Sequence, residues 1–372
     1  MISSLNRDRV IAFLMLLPSI VLVAIFVYGF IGWTGWTSLT NSNALQQLSG
    51  QPAQFVGLQN YTELFAGMLN NRFRIDIVNT VFFTILFIAL CLSLGMGLAM
   101  LLDQQVKGES IFRTIFLFPM ALSFVVTGVV WKWLFNPSSG LNVLPTFIGL
   151  QPFRFEWFIS EQRWLEFNWQ DLPQILAIIL LGVVVLAALI AWSRKRSQLA
   201  ALLAAGAILL IALISFEVPR QLNALSRPET HGFNLALFAV VVAAGWQMSG
   251  YTMAMYLAGL RGIPEELREA ARVDGATELG VYRHVVLPML APITLSAMII
   301  LGHISLKIFD LVYTLGGGDN LWIDMPGINM FFTTFRAQEF ARGAAIAMIM
   351  LIMVAVVIVP YLATQLRSEV ER

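Results

Sequence analysis

Long apolar runs alternate with shorter polar segments along the whole chain. Because a helix needs about 20 mostly apolar residues to cross a bilayer, each run predicts one membrane-spanning helix. The predicted spans are Val10–Trp33, Ile77–Leu102, Ile111–Leu134, Gln174–Trp192, Gln198–Phe216, Leu235–Leu257, Met289–Leu306 and Gly343–Leu366. The pattern therefore predicts an all-α integral membrane protein of about eight transmembrane helices. An even number of spans places both termini on the same side.

Composition supports a membrane protein. The 372 residues are 58% hydrophobic and 12% charged, with a mean hydropathy of +0.77, whereas soluble domains carry about 25% charged residues. A formal net charge of +1 does not favour nucleic-acid binding through a basic surface. Cys91 is the only cysteine, so no disulfide can form within the chain. The first apolar run lacks a clear cleavage site and predicts an uncleaved span.

Lysine and arginine predict the orientation. They are denser in the short segments that include both termini and the 260–287 loop, so these segments are expected on the cytosolic side. Ser193–Ser197, with its Arg-Lys-Arg core, is the strongest local marker and is interpreted as a topology anchor. The predicted regions are a cytosolic tail 1–9, three spans in 10–150, an external segment with a transmembrane hairpin in 151–233, core spans in 234–366 and a cytosolic tail 367–372.

The longest polar interruption in the C-terminal half, Glu265–Gly275, predicts an ordered helix between two spans. Pro264 suits the first helical position, and acidic residues favour the first turn. Gly275 can end the helix in a left-handed conformation, and Thr277 can cap a second short helix that runs through His284. A helix with a small, alanine-lined face in water suits docking into a partner's groove.

This loop carries a family resemblance. Glu269-Ala270-Ala271, then Gly275, then Leu287-Pro288 resembles the "EAA" loop of ATP-binding-cassette (ABC) importer permeases, with Val285 in place of the usual isoleucine. The chain is therefore identified as similar to the permease subunits of binding-protein-dependent sugar importers. The resemblance implies a coupling helix that rests on a cytosolic ATPase, where Glu269 meets a basic partner and Gly275 is a hinge. The implied coupling residues are Leu267, Glu269, Ala270, Ala271, Asp274, Gly275 and Pro288.

Shorter fragments extend the resemblance over most of the chain, and it lapses between about Gln151 and Phe233. They are Leu17-Pro18, Phe55–Tyr61, Asn79-Thr80, Phe112–Thr114, Asn136-Pro137, Tyr256–Leu260, Phe309-Asp310 and Gly316–Gly318. The family core has six spans, so the apolar pair Gln174–Trp192 and Gln198–Phe216 is interpreted as an inserted, lipid-facing hairpin. The aromatic stretch Gln151–Pro173 has two open interpretations, an ordered external face or a belt of interfacial aromatic residues.

Polar residues within the spans mark a candidate substrate path, because they are costly in hydrocarbon and usually face a bundle interior. An aromatic and amide lining suits a sugar, and packing between helices is the alternative use of such residues. Lys307 and Asp310 are three positions apart and could form an ion pair on one helix face. The path candidates are Asn79, Thr84, Trp131, Trp246, Gln247, Tyr251, Thr252, Tyr256, Lys307, Asp310 and Tyr313.

No enzyme, metal or nucleotide motif is recognised in the sequence, so no cofactor is expected on this chain. The resemblance implies a second homologous permease (a heterodimer), an ATPase dimer that binds ATP and magnesium, an external sugar-binding protein and a sugar substrate. It also implies a bacterial or archaeal cytoplasmic (inner) membrane with both termini cytosolic. An ion-coupled secondary sugar carrier is the alternative, and a membrane-embedded transferase is a weaker one. The sugar could be a monosaccharide, an α-glucoside or a short oligosaccharide.

Overall fold

A computed structural model describes residues 2–67, 71–104, 106–160, 162–222, 225 and 229–370. Within these residues six helices are long and apolar enough to cross a membrane, or up to eight if each of two bent helix pairs is one span. The predicted all-α membrane fold is confirmed. At the ends of the two predicted tails, Met1 and residues 371–372 lie outside the described residues.

The first part of the chain contains two spans joined by short helices. A π-helical turn, Ala24–Gly29, joins the first two helices into one span. The helices are α1 (Ile2–Val23), α2 (Phe30–Ser38), α3 (Ala44–Leu48), α4 (Gln59–Ala66) and α5 (Asn71–Asp103).

The middle part contains a bent helix pair, a two-stranded sheet and an apolar hairpin. Its elements are α6 (Glu109–Ala121), α7 (Phe124–Leu134), β1 (Arg163–Asn168), α8 (Leu172–Ser193), α9 (Ser197–Ser215) and β2 (Thr230–Asn234). Short 3-10 turns lie at Gly140–Ile148, Trp157–Ile159, Trp169–Asp171 and Val218–Gln221.

The C-terminal part contains the most buried helix and the predicted coupling loop. Its helices are α10 (Leu235–Arg261), α11 (Glu265–Val273), α12 (Glu278–Val281), α13 (Leu287–Met289), α14 (Ala291–Leu306), α15 (Asp310–Gly316), α16 (Pro326–Phe331) and α17 (Phe340–Val370). π-helical turns lie at Tyr282–Val286 and Phe332–Arg336.

Helix α10 is the centre of the bundle. In its most apolar stretch 78% of the residues are buried, against 0% in the first span and 6% in each hairpin helix. α10 packs mainly along α5 and also contacts α6 and α14. Gly250 allows a close approach, because an added Cβ would overlap the carbonyl oxygen of Phe116 on α6. We call the end of the bundle that carries α11 the α11 end, and the opposite end the far end.

The predicted span Ile111–Leu134 is sharply bent. The segment is two helices, α6 and α7, which meet at an angle of 100°. Pro119 removes a backbone donor near the end of α6, and Leu122 is extended. The side chain of Ser123 then accepts a hydrogen bond from the Val126 amide and starts α7.

The predicted span Met289–Leu306 begins at a second bend and ends at the predicted residue. The helical segment Glu278–Met289 meets α14 at 62°, so the straight part begins at Ala291. At the other end α14 stops at Leu306, and α15 begins only at Asp310. Lys307 and Asp310 therefore do not share one helix face, and no ion pair between them is present among the described residues. The predicted ion pair is wrong.

The sheet is an antiparallel ribbon that the sequence did not predict. Strands β1 and β2 flank the α8–α9 hairpin in the sequence and pair from Arg163–Asn234 to Asn168–Thr230. The Trp169 amide continues the pairing to the Glu229 carbonyl at 3.1 Å. Helices α8 and α9 pack mainly on each other. The ribbon therefore pairs the two ends of the hairpin where the chain leaves the bundle and returns to it.

The aromatic residues before the hairpin do not form a uniform belt. Trp157 is buried against Phe135, and its indole nitrogen donates to the side-chain oxygen of Asn142 at 3.0 Å. Trp164 remains half exposed while its ring contacts Phe233. Trp157 is therefore part of an ordered, packed face. Trp164 is still compatible with the second interpretation, that of an aromatic residue at the membrane interface.

A buried ionic cluster attaches β2 to the start of α5. Arg74 donates to both carboxylate oxygens of Glu229 and to the Gly67 carbonyl, and His231 contacts the same carboxylate at 2.7 Å. Burial raises the pKa of Glu229, but the hydrogen bonds from Arg74 and His231 outweigh it and leave that pKa below its usual range. The cluster is therefore anchored by an ionised glutamate.

Candidate functional site

The predicted coupling loop forms a helix–turn–helix. Helix α11 begins at Glu265, so Pro264 precedes the helix and does not occupy its first position as predicted. The helix ends at Val273, with Asp274 as its C-cap residue. Gly275 follows with a φ of +87°, and the Ala276 amide donates back to the Ala271 carbonyl at 3.0 Å. This pattern is the left-handed helix ending predicted from the glycine.

The second half of the loop begins with a side-chain cap. Thr277 accepts a hydrogen bond from the Gly280 amide at 3.2 Å and starts α12. The helix continues through a π-helical turn past His284, so the predicted second helix is present and longer than expected. Pro288 lies in α13, just before the 62° bend into α14.

Arg272 holds the two short helices together. Its guanidinium donates to Glu278 at 2.8 Å and to Glu265 at 3.1 Å. These contacts join the start of α11 to the start of α12 across the turn. The hydrogen bond to Glu278, and next that to Glu265, raises the pKa of Arg272, which stays charged. The helix–turn–helix is therefore braced within itself.

A second arginine fastens α11 to the spans. Arg268 donates to Asp103, at the last turn of α5, at 2.8 Å, and to the Leu260 carbonyl of α10 at 2.8 Å. The side chains of Arg268 and Asp103 are only 12% and 10% exposed. Because a largely buried pair is costly to separate, Arg268 attaches α11 firmly to α5 and α10.

The neighbouring ends of α6 and α10 are joined in the same way. Glu109, the first residue of α6, accepts hydrogen bonds from Arg261 at 2.6 Å and from Arg113 at 2.5 Å. Sequence reasoning missed Asp103 and the link from Glu109 to α10, because Arg268 and Arg261 lie far away along the chain.

The free face of α11 carries charge and apolar surface together. Glu269, Ala270 and Val273 are exposed, and Val273 reaches 86% exposure. Leu279 on α12 is 78% exposed, whereas Ala271 packs on the core below. Leu267 and Asp274 are also exposed. Val273 and Leu279 were not predicted, because a single apolar residue in a polar loop carries no periodic signal.

Two of the predicted path residues, Trp131 and Trp246, are in contact, and a third, Gln247, reaches the bend between α6 and α7. The rings of Trp131 and Trp246 are 5.7 Å apart, edge to face. Gln247 donates to the Leu122 carbonyl at the bend at 2.8 Å. The buried Trp131 indole nitrogen, Gln247 Oε1 and Thr127 hydroxyl have no hydrogen-bond partner within the described part of the chain.

Unpaired buried polar atoms are costly, so this group offers binding capacity to a polar ligand. An indole donor, an amide acceptor and a hydroxyl can bond sugar hydroxyl groups, and two aromatic rings can cover an apolar sugar face.

Other path candidates are used in packing. Thr252 donates to the Cys91 carbonyl on α5 at 2.7 Å, and Tyr256 donates to Thr294 on α14 at 3.1 Å. Thr84 bonds Ser305 at 2.9 Å, and Asn79 donates to the Asp324 carbonyl at 3.0 Å. These side chains join helices, which is the alternative role that sequence reasoning kept open.

The last candidates lie apart from the tryptophan pair or in the protein core. Tyr251 packs against the main core. Tyr313 stacks on Phe309 with ring centroids 5.4 Å apart. Lys307 and Asp310 are exposed on either side of the break between α14 and α15. Within the described residues no cluster of three or more His, Cys, Asp or Glu could hold a metal ion.

Comparison with known proteins supplies the family. Residues 202–372 match the family model described as "Binding-protein-dependent transport system inner membrane component". The chain is 34% identical to the "Probable ABC transporter permease protein" of Pyrococcus horikoshii, over 96% of each chain. It is 31% identical to the xylose/arabinose import permease protein of Haloferax volcanii, over 94% of this chain and 86% of the relative.

The fold has a relative of known structure. A chain of a bacterial alginate ABC transporter, crystallised with its alginate pentasaccharide-bound periplasmic protein, superposes with a TM-score of 0.62. The superposition covers 95% of this chain and 94% of that chain at 17% identity. The family model matches the C-terminal part of the chain, and the Pyrococcus relative is similar over nearly the full length. The chain therefore belongs to the permease family of binding-protein-dependent ABC importers.

Proposed function

We propose that this chain is one of two different permease subunits that line the sugar pathway of an ATP-driven importer. The chain is itself a non-catalytic transport component, as its family membership establishes. Family membership also implies an ATPase and a solute-binding protein as partners. ATP and magnesium would be bound by the ATPase subunits.

The observation that carries this proposal is the braced, exposed helix–turn–helix at the α11 end. Its free face presents Glu269 beside the apolar surface of Ala270 and Val273. Its other face is tied to α5 and α10 through Arg268. We infer that Leu267, Asp274 and Gly275 shape this docking element and that Pro288 passes its movement to α14.

A sugar is the substrate class that the spans favour. Trp131, Trp246 and Gln247 combine aromatic rings with unpaired polar atoms beside the bend between α6 and α7. The Haloferax relative is a xylose/arabinose import permease protein, and the alginate transporter takes a polysaccharide. We infer a sugar path that includes this group and place the binding protein at the far end.

Orientation follows from the same assignment. With α11 on an ATPase, both termini and the basic tip of the α8–α9 hairpin face the cytosol, and the membrane is the cytoplasmic (inner) membrane. The alternative of an ion-coupled carrier has no support, because the family is driven by a separate ATPase and the Lys307–Asp310 ion pair is absent from the described residues.

Co-purification from the native membrane tests the proposal. We expect an ATPase and a second permease to accompany the wild-type chain. Glu269→Lys and Val273→Lys should each lose the ATPase and keep the second permease, because both place a charge on the docking face. Leu45→Lys is the matched control, since Leu45 is 79% exposed at the far end.

Two failures are distinguishable. If the wild-type chain carries no ATPase, the importer proposal is wrong. If the ATPase stays with both variants, only the assignment of the docking face is wrong.

A further inference from the structure

The far end of the bundle contains a buried acidic pair that the transport proposal does not use. Asp76 lies in the first turns of α5, and Asp324 lies in the segment between α15 and α16. They are 0% and 2% exposed. Arg72, one turn before Asp76 on α5, donates to the Asp324 carboxylate. Asn79, about one turn after Asp76, donates to the Asp324 carbonyl at 3.0 Å. The two carboxyl groups are therefore neighbours.

The two carboxyl groups have different partners. Asp324 Oδ2 accepts a hydrogen bond from Arg72 Nε at 2.5 Å, and Arg72 also donates to the Gly318 carbonyl at 2.9 Å. Asp76 Oδ2 accepts from the Asn329 amide of α16 at 2.6 Å. Asp76 Oδ1 is buried and has no hydrogen-bond partner in the described part of the chain.

The charges of this site do not balance when both carboxyl groups are ionised. The charged groups that face Asp76 are Asp324, from the neighbouring segment, and Arg72, one turn earlier on α5. Asn329, from α16, is neutral. Two carboxylates and one guanidinium leave one negative charge without compensation in a buried site, which is very costly. Two ionised carboxylates are also both acceptors and cannot bond each other.

A single proton resolves both problems, and a metal ion fits less well. A proton on Asp76 Oδ1 converts that orphaned acceptor into a donor toward Asp324. A hard metal ion takes about six oxygen ligands, whereas the side-chain oxygen of Asn329 already accepts from Thr333 at 2.9 Å. The positively charged Arg72 beside Asp324 also opposes a cation.

We propose that Asp76 and Asp324 hold one shared proton, carried on Asp76 and donated to Asp324. Arg72 fixes the negative charge on Asp324, so the two residues are not equivalent. The resulting neutral contact closes the far end of α5 onto the segment that leads into α16. Asp76 would need to release its proton to solvent only when these segments separate.

Asparagine substitutions test the proposal, because they should have different effects at the protonated Asp76 and at the ionised Asp324. In Asp76→Asn an amide replaces the protonated carboxyl, so it can still donate to residue 324 and accept from Asn329. We expect its melting temperature in the purified complex to equal or exceed that of the wild type. Asp324→Asn removes the anion that faces Arg72 and should lower the melting temperature clearly.

The pH dependence gives a second readout. The folded wild type holds a proton that an unfolded aspartate, with a pKa near about 3.9, does not hold at neutral pH. Wild-type stability should therefore fall relative to Asp76→Asn as the pH rises above about 4, by up to about tenfold in the folding equilibrium per pH unit, until the folded site itself releases the proton.

Infrared spectroscopy observes the proton directly, even if Asp324→Asn does not fold. The wild-type complex at neutral pH should show a carboxylic-acid C=O band that shifts in D2O and is missing in Asp76→Asn. A band that persists in that variant, or equal destabilisation by both substitutions, overturns the proposal. A higher melting temperature in sodium or potassium than in choline would also overturn the proposal, because it would indicate a bound metal ion between the carboxyl groups. None of these readouts depends on sugar import.

Discussion

Gly275 is the position in the predicted coupling loop where the backbone conformation most restricts the choice of residue. Its φ is +87°, and a Cβ added there would meet nothing within 4 Å. Any effect of substitution therefore arises from backbone conformation and not from crowding. A left-handed conformation costs an ordinary residue about 1–3 kcal/mol, and a β-branched residue is the least suited to it.

We expect Gly275→Val to reduce ATP-driven sugar uptake in reconstituted vesicles while the chain still inserts and co-purifies with the second permease. Gly275→Asn is the control, because asparagine tolerates left-handed backbone. Uptake by Gly275→Val equal to that of the asparagine variant would count against a conformational role for this position.

Arg268 and Asp103 provide a second test at the scale of single residues. We expect Arg268→Asp to leave ATPase binding intact and to lower uptake roughly tenfold, within the range of coupling free energies of about 1–3 kcal/mol. The double variant Arg268→Asp with Asp103→Arg should recover part of the uptake by restoring an ion pair of opposite polarity.

Sugar uptake and ATP hydrolysis are both measured in the same vesicles. Lower uptake with ATP hydrolysis retained indicates uncoupling, whereas loss of both indicates loss of the complex. If the double variant is no better than the single one, the pair is a local contact without a part in transmission.

The residue types of the loop were predictable, but their partners were not. The segment Glu265–Gly275 predicted the helix and the turn, and Thr277 predicted the cap, because those are local backbone properties. The pair Arg268–Asp103 joins residues 165 positions apart. Only packing of α11 against the end of α5 brings them together.

At the scale of elements, the α8–α9 hairpin is a self-contained unit. Both helices are mostly exposed and contact mainly each other, while β1 and β2 pair across its base. The ribbon itself is held by the bundle, since the Trp164 ring packs on Phe238 of α10 and Arg163 lies over Trp322 at 5.3 Å.

Replacing residues 170–228 by a short glycine-serine turn should therefore preserve insertion and most of the sugar uptake. The matched control removes the ribbon as well, and we expect it to lower stability by exposing the surface around Phe238 and Trp322. Loss of uptake with normal insertion in the first variant would show that the hairpin has a part in transport.

Apolar runs predicted most spans but not the bends within them. Hydropathy is averaged along a segment and carries no direction, so α6 and α7 read as one span despite a 100° bend. Pro119 and Ser123 are local signals for that bend, and they could have indicated it. The ribbon was missed because its two strands are short and lie on opposite sides of a hairpin.

At the scale of the whole molecule, orientation can be tested with single cysteines. Cys91 is the only natural cysteine and is fully buried, so an introduced cysteine reports cleanly. We expect Val273→Cys and Lys195→Cys to react with a membrane-impermeant maleimide only in inside-out vesicles.

Phe147→Cys should react on intact cells, because Phe147 is 82% exposed on the connection between α7 and β1. The opposite labelling pattern would reverse the proposed topology and remove α11 from the cytosol.

The sequence by itself determined the membrane class, the approximate spans, the permease family and the local form of the coupling loop. These depend on apolar length and on residues close together in the chain, where composition and backbone preference are sufficient. The tertiary structure decided which polar residues are paired and which remain free. Trp131 and Gln247 each have a buried polar atom without a partner in the described part of the chain, whereas Thr252 and Tyr256 are used between helices. Asp76 and Asp324 meet only because the far end of α5 packs on a segment about two-thirds of the chain away, and long-range proximity of this kind has no signal in a single sequence.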